Sequence, residues 1–200
     1  MTTSDRDRRE DGRPEQARPR DRTGRPLPYG TTGVPLAEDH DVDTVEEALE
    51  LGVRLWDEGR LFEAHECLEA VWHAAPEQDR DLWQGVIQVA VAGVHCQRGN
   101  PVGAAALFER AGERLAGYPE QHRGIDVAAL RAVCAAGAAA LRDGAPVEDV
   151  RIPPFPAHDG PWFTPDPAAL GPPTTPTPVP DEPVWLASER PRQPRRRDEP

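Results

Sequence analysis

The stretch LWQGVIQVAVAGVHC, residues 82–96, is apolar on almost every side when it is drawn as a helix at about 100° per residue. A helix of this kind belongs at the centre of a fold, because each of its sides has to be covered by other elements. Its exceptions, Gln84, Gln88 and His95, form one narrow polar stripe with spacings i, i+4 and i+11. The sequence therefore predicts a central helix that carries a single polar face.

Amphipathic segments with clear helix start signals flank this helix. TVEE, residues 44–47, fits a capping box. Asn100 before Pro101, and later Asp126, are further N-cap residues. Because the loops between the segments are short, we predict an all-α fold, an antiparallel bundle of about five helices. The predicted helices cover about residues 44–57, 61–75, 77–98, 100–118 and 126–143.

Proline divides the chain into three parts. Residues 44–144 contain only three of the 24 prolines, whereas residues 145–200 contain 16. Segments so rich in proline do not sustain helices or central strands. We predict a disordered or extended N-terminal arm over residues 1–43, a helical bundle domain over residues 44–144, and a Pro-rich, largely disordered C-terminal tail over residues 145–200.

Charge and hydropathy narrow the class of protein. Residues 44–144 carry 16 Asp and Glu against nine Arg, and the whole chain has a net charge of −12. An acidic domain repels phosphate backbones, so we expect no nucleic-acid partner. The apolar runs are too short for a membrane span, and the charged N-terminus is unlike a signal peptide. We expect a soluble, cytoplasmic protein with no membrane partner; the sequence leaves its oligomeric state open.

Two structural interpretations stay open for the arm and two for the Pro-rich stretch of the tail. Residues 23–40 fit an extended arm lying on the domain and fit a plain linker equally well. In the tail, Phe155, Trp162 and Phe163 are candidates to pack back on the bundle. PPTTPTPVPDEP, residues 172–183, has the spacing of a polyproline II helix that a protein module of the SH3 kind binds. A spacer without a partner is the alternative for that stretch.

The second helix, LFEAHECLEAVWHAA over residues 61–75, places polar groups on its buried side. His65 falls inside the apolar arc of the helical wheel, and Glu69 lies one turn further on the same face. Glu66 flanks the arc, whereas Glu63 and Cys67 are expected to point away from it. Since a polar group buried alone costs free energy, we expect the polar stripe of the central helix to face His65 and Glu69.

Two interpretations of this polar cluster stay open. In one, His65, Glu69 and His95 bind one divalent metal, Zn, Mn or Fe, and Glu66 is the general base that activates a bound water against a small-molecule substrate. In the other, the cluster is a hydrogen-bond network that fixes helix register in a non-enzymatic binding or scaffold protein. A pocket for a small polar ligand is a third possibility. The residues assigned to orient a substrate or to close the network are Trp72, Gln84 and Gln88.

The sequence HECLE, residues 65–69, partly matches the zincin motif H-E-x-x-H. In that motif two histidines one turn apart hold zinc and the glutamate between them activates water. Here the fifth position is Glu69, which is also an acceptable metal ligand.

Three stretches together resemble a known family. They are LFEAHECLEAVW (residues 61–72), WQGVIQVAVAGVHCQRGNPVGA (residues 83–104) and LFERAGERLAGY (residues 107–118). The chain is similar over about residues 45–120 to the domain of unknown function 309 family, small all-helical prokaryotic proteins sometimes labelled predicted metal-dependent hydrolases. The resemblance implies an all-helical fold and a metal-dependent hydrolase activity. Position by position, the residues that match the family's pattern, and that the resemblance implies form its site, are His65, Glu66, Glu69, Trp72, Gln84, Gln88 and His95.

Overall fold

Five α-helices form the body of the protein. The computed structural model describes residues 18–34 and 42–157. Within these ranges the helices are α1 (Val45–Asp57), α2 (Leu61–Ala74), α3 (Arg80–Gln97), α4 (Pro101–Leu115) and α5 (Val127–Arg142). The predicted all-α fold with five helices is therefore confirmed. No helix in the described ranges is both long enough and apolar enough to cross a membrane.

Helices α1, α4 and α5 begin where the sequence predicts them to begin. At α1, the side chain of Thr44 accepts a hydrogen bond from the Glu47 amide, and the Glu47 carboxylate accepts one from the Thr44 amide, which completes the capping box. Asn100 caps α4 by accepting from the Gly103 amide at 3.0 Å. Asp126 caps α5 by accepting from the Ala129 amide at 2.8 Å. These caps satisfy amide groups that a helix start leaves without partners.

Helix α3 lies in the middle of the array. Each helix packs mainly on its neighbours in the chain, so α3 has α2 on one side and α4 on the other. Gly93 of α3 lies against Leu61 of α2, and Gly85 lies against Leu115 of α4. The helix begins at Arg80, three residues later than predicted, because residues 77–79 form a 3-10 turn.

A small hairpin joins α4 to α5, and the sequence analysis did not predict it. Its strands are β1 (Gln121–His122) and β2 (Ile125–Asp126), which pair antiparallel with His122 opposite Ile125. Between them Arg123 and Gly124 both have positive φ, 51° and 75°. Two consecutive residues of this kind make the tight turn whose twist matches a hairpin.

Both segments that flank the helices contact them within the described residues. The arm meets the end of α3 through Arg98, whose Nε donates to the carbonyl of Thr23 at 2.7 Å. The C-terminal segment returns to α1, where Phe155 is buried against Trp56 with ring centroids 5.2 Å apart. A 3-10 turn, Val147–Asp149, precedes this contact.

The predicted boundaries at residues 43 and 144 stay predictions. The expectations for Trp162, Phe163 and the polyproline stretch fall outside the described residues.

Candidate functional site

His65 is buried on α2 and is held by its own helix. Its Nδ1 contacts the carbonyl oxygen of Phe62, one turn earlier. A carbonyl oxygen only accepts, so Nδ1 carries the hydrogen and donates it. Burial, with a smaller effect of the positive charge of Arg98, lowers the pKa of His65 to about 4. The ring is therefore neutral at pH 7, with Nε2 as a lone-pair acceptor.

Three glutamates of α2 lie in different surroundings. Glu66 and Glu69 are half-buried along one edge of the helix. Glu63 was expected to point away, but it is buried, with 1 % of its surface exposed, and pairs with Arg60. The expectation for Cys67 was also wrong: it is buried against Gly52 of α1. The helical wheel assumed a single buried face, whereas α2 is covered by α1 on one side and by α3 on the other.

The polar stripe of α3 lies on the side of the helix away from the C-terminal segment. Gly93 contacts Ile152 of that segment, and Gln84 lies nine residues earlier, about half a turn round the helix axis. Gln88 is 5 % exposed and Gln84 is half-buried. The stripe thus lies on the part of α3 between α2 and α4.

Two polar atoms of the predicted cluster are buried without a hydrogen-bond partner in the described part of the chain. They are the side-chain oxygen Oε1 of Gln88 and the indole nitrogen Nε1 of Trp72. One is an acceptor and the other is a donor. Trp72 lies seven residues after His65, two turns further along the same face of α2. A buried polar atom that lacks a partner costs about 1–3 kcal/mol, so this pair requires a physical explanation.

The structure gives His95 a different setting from His65. The Nδ1 of His95 is 2.9 Å from the side-chain nitrogen of Asn100, and the imidazole lies against Gly103 at the start of α4. In the two described ranges, no three His, Cys, Asp or Glu side chains group closely enough to hold a metal ion. The donor set that a metal would need is not assembled, and the ligand assignment of His65, Glu69 and His95 stays a prediction.

Sequence reasoning missed Arg98 as a neighbour of the site. Arg98 caps the C-terminal end of α3, half-buried, and it joins the arm to the helices. Its charge acts on His65 although 33 residues separate the two in the chain. An arginine just before a helix-ending glycine is an ordinary C-terminal residue, so no local signal could have identified it.

The geometry defines an all-helical domain with a polar face on its central helix, and comparison with known proteins places part of it in a family. The family described as "Domain of unknown function (DUF309)" matches residues 49–107. That match confirms the resemblance inferred from the sequence, and it contains α2, α3 and the whole predicted cluster. An "Uncharacterized protein" of Aquifex aeolicus (strain VF5) is 32% identical over 78 residues. The aligned region is 38% of this chain and 23% of that relative, so the chain spans about a quarter of the relative's length.

Proposed function

We propose that the polar stripe of α3, between α2 and α4, binds a small polar ligand and that the domain acts as a binding module. The observation that carries the proposal is the pair of buried polar atoms, Gln88 Oε1 and Trp72 Nε1. A completed structural network would have satisfied both groups, because buried polar atoms in native proteins are nearly always hydrogen-bonded. A ligand with its own donor and acceptor removes the cost of both.

The two buried polar atoms restrict the ligand class. Trp72 Nε1 needs an acceptor and Gln88 Oε1 needs a donor, a combination that a primary amide or a urea group supplies. Glu66 and Glu69 lie half-buried on α2, the helix that carries Trp72, and two acidic side chains there disfavour an anion. The ligand class is therefore a neutral or cationic small molecule carrying an amide-like group.

Gln88→Leu tests this proposal, and Gln78→Leu, at an exposed glutamine of the 3-10 turn before α3, is the control. Replacing an unpaired buried amide with an apolar side chain of similar size is expected to leave the free protein as stable or more stable, by up to about 2 kcal/mol. The same change is expected to abolish the thermal shift that a panel of small amides and ureas produces with the wild type. Trp72→Phe is expected to lose the same ligand.

Two results together would contradict the binding proposal. If Gln88→Leu lowered the free energy of unfolding by more than about 1 kcal/mol, Gln88 would be part of a structural network. If no compound of the panel shifted the melting temperature of the wild type, the unpaired atoms would be met by water, and the domain would be a scaffold.

A metal-dependent hydrolase is the second candidate function, and one observation favours it. A histidine that holds a metal usually donates its other ring nitrogen to a carbonyl or carboxylate, as His65 Nδ1 does towards Phe62. In this interpretation Glu66 is the base. The test is metal content by plasma mass spectrometry beside a His65→Ala control. About one equivalent of Zn, Mn or Fe in the wild type alone would favour this candidate, and Glu66→Gln would then be expected to keep the metal and lose turnover.

A further inference from the structure

The loop at residues 20–26 is a compact unit built around one carboxylate. Asp21 Oδ1 accepts from the amide of Thr23 at 2.8 Å, from the Thr23 hydroxyl at 2.8 Å and from the amide of Arg25 at 2.9 Å. The Asp21 amide donates to the Arg25 carbonyl at 3.0 Å. These bonds fold the loop on itself, so it moves as one piece.

This loop covers the residue that holds His65. Gly24, at its tip, is buried with φ +76°, and a side chain at that position would overlap the ring of Phe62 and approach Arg98 Nη2. The Phe62 ring in turn lies on the imidazole of His65, with centroids 4.9 Å apart. One aromatic layer therefore separates the loop from His65, and His65 is only 6 % exposed.

Hydrogen bonds to Arg98 join the loop to the end of α3. Arg98 Nε donates to the Thr23 carbonyl at 2.7 Å, and Arg25 donates to the Arg98 carbonyl at 2.9 Å in an exposed bond. The same contacts bring cations together: the pKa of Arg98 is lowered by burial and by the charges of Arg25 and Arg20, and only Asp21 opposes them. Repulsion between these like charges opposes the attachment of the loop.

We propose that residues 20–26 are a strap that covers Phe62 and His65 and lifts to admit the ligand. The proposal rests on the proposed function for the identity of the site, and it adds the element that controls access. Gly24 is the residue that lets the strap close, because any side chain there holds it away from Phe62.

The test compares Gly24→Ala with Gly30→Ala in the full chain. Both glycines have positive φ, +76° and +77°, so both substitutions carry a similar backbone cost. Nothing lies within 4 Å of a Cβ built at Gly30, whereas Gly24 meets Phe62 and Arg98. A difference between the two variants therefore reports the lost contact of the strap.

The measurement is the rate at which diethyl pyrocarbonate modifies His65, followed by mass spectrometry at neutral pH without ligand. His73 lies on the same helix, is exposed, and falls in the same peptide after cleavage at arginine, so it is an internal reference. We expect His65 to react much more slowly than His73 in the wild type and in Gly30→Ala. We expect its rate to rise severalfold in Gly24→Ala.

A second variant keeps the test decisive if Gly24→Ala fails to fold. Arg98→Met keeps the apolar stem and removes the donor to Thr23, so it is expected to raise the rate at His65 as well. A folded Gly24→Ala or Arg98→Met protein whose His65 stays as slow as in the wild type would overturn the strap. Because no ligand is present, this result is independent of the Gln88 and Trp72 variants that test binding.

Discussion

Asp79 is a carboxylate buried at the residue where the 3-10 turn enters α3. Its oxygens accept from His122 Nε2 at 2.7 Å and from Arg123 Nε at 2.7 Å, so one side chain ties the hairpin to the start of the central helix. Removing one partner of a buried charge cluster is costly because the others stay desolvated. His122 and Arg123 are each 29% exposed, so they regain part of their hydration when the Asp79 charge is removed, which reduces this cost.

We expect Asp79→Asn to lower the free energy of unfolding by about 2–4 kcal/mol. Asp81→Asn is the matched control, since Asp81 also pairs with one arginine, Arg114, but is 63% exposed. Exposed pairs contribute about 0–1 kcal/mol. Urea denaturation of the two variants measures the difference. Equal losses would mean that the hairpin is not held by Asp79.

His65 makes stability depend on pH in a defined direction. Burial lowers its pKa from 6.5 to about 4 in the folded protein, so between these values the unfolded chain binds more protons. The stability contributed by His65 being buried in its neutral form is complete above pH 6.5 and is lost as the pH falls towards 4. The loss amounts to roughly 3 kcal/mol for a shift of this size.

His65→Gln is expected to flatten this dependence between pH 7 and pH 4.5, whatever it does to stability at pH 7. The measurement is a series of urea unfolding curves in that range for both proteins. A wild-type slope that survives unchanged in His65→Gln would assign the effect to other groups.

At the scale of the helices, glycines show how closely neighbouring elements approach. Gly137 of α5 faces the ring of Phe108 on α4, and a Cβ at that position would lie 2.8 Å from a ring carbon. Gly112 of α4 faces α5 as well, but its nearest neighbour would be Cys134 Cβ at 3.5 Å, an ordinary contact. The same substitution should therefore have opposite effects at these two positions.

We expect Gly137→Ala to destabilise the protein by about 1–3 kcal/mol, because a rigid ring has to move. Gly112→Ala is expected to stabilise it by up to about 1 kcal/mol, through the higher helix propensity of alanine. Thermal unfolding followed by circular dichroism measures both. A gain in melting temperature at both positions would mean that α4 and α5 adjust their spacing easily.

The helix ends could be predicted from the sequence because their causes are local. The bonds that cap α1 at Thr44 and α4 at Asn100 join residues three apart, and the residue types show them directly. The hairpin was missed since strands of two residues show no alternation of apolar and polar positions.

The site could be predicted only in part, because some of its contacts join residues that are far apart in the chain. Its composition from α2 and α3 follows from polar residues on apolar helix faces. The strap covers His65 through the contacts of Gly24 with Phe62 and Arg98. Contacts between residues so far apart in the chain leave no pattern in the sequence of the strap or of the helices. The buried positions of Glu63 and Cys67 likewise depend on which helices cover α2, which the sequence of α2 alone does not show.

At the scale of the whole molecule, the C-terminal segment joins α1 to the hairpin before α5. Trp56 Nε1 donates to the Pro153 carbonyl at 2.9 Å, and the Phe155 amide donates to Asp57 at 2.7 Å. The Asp126 amide donates to the Pro156 carbonyl at 2.8 Å. One short segment thus links two elements at opposite ends of an array whose helices otherwise pack mainly on their chain neighbours.

Phe155→Ala is expected to destabilise the entire domain by about 3–5 kcal/mol, because it removes a buried ring and loosens the segment that spans the array. Val102→Ala, at an apolar side chain that is 79% exposed, is the control, with an expected change within about 0.5 kcal/mol. The measurement is urea unfolding followed by both circular dichroism and tryptophan fluorescence. Coincident transitions in Phe155→Ala would show that the array still unfolds as one unit. If the circular dichroism and fluorescence transitions separated, the C-terminal segment would be the element that couples the unfolding of α1 and α2 to that of α4 and α5.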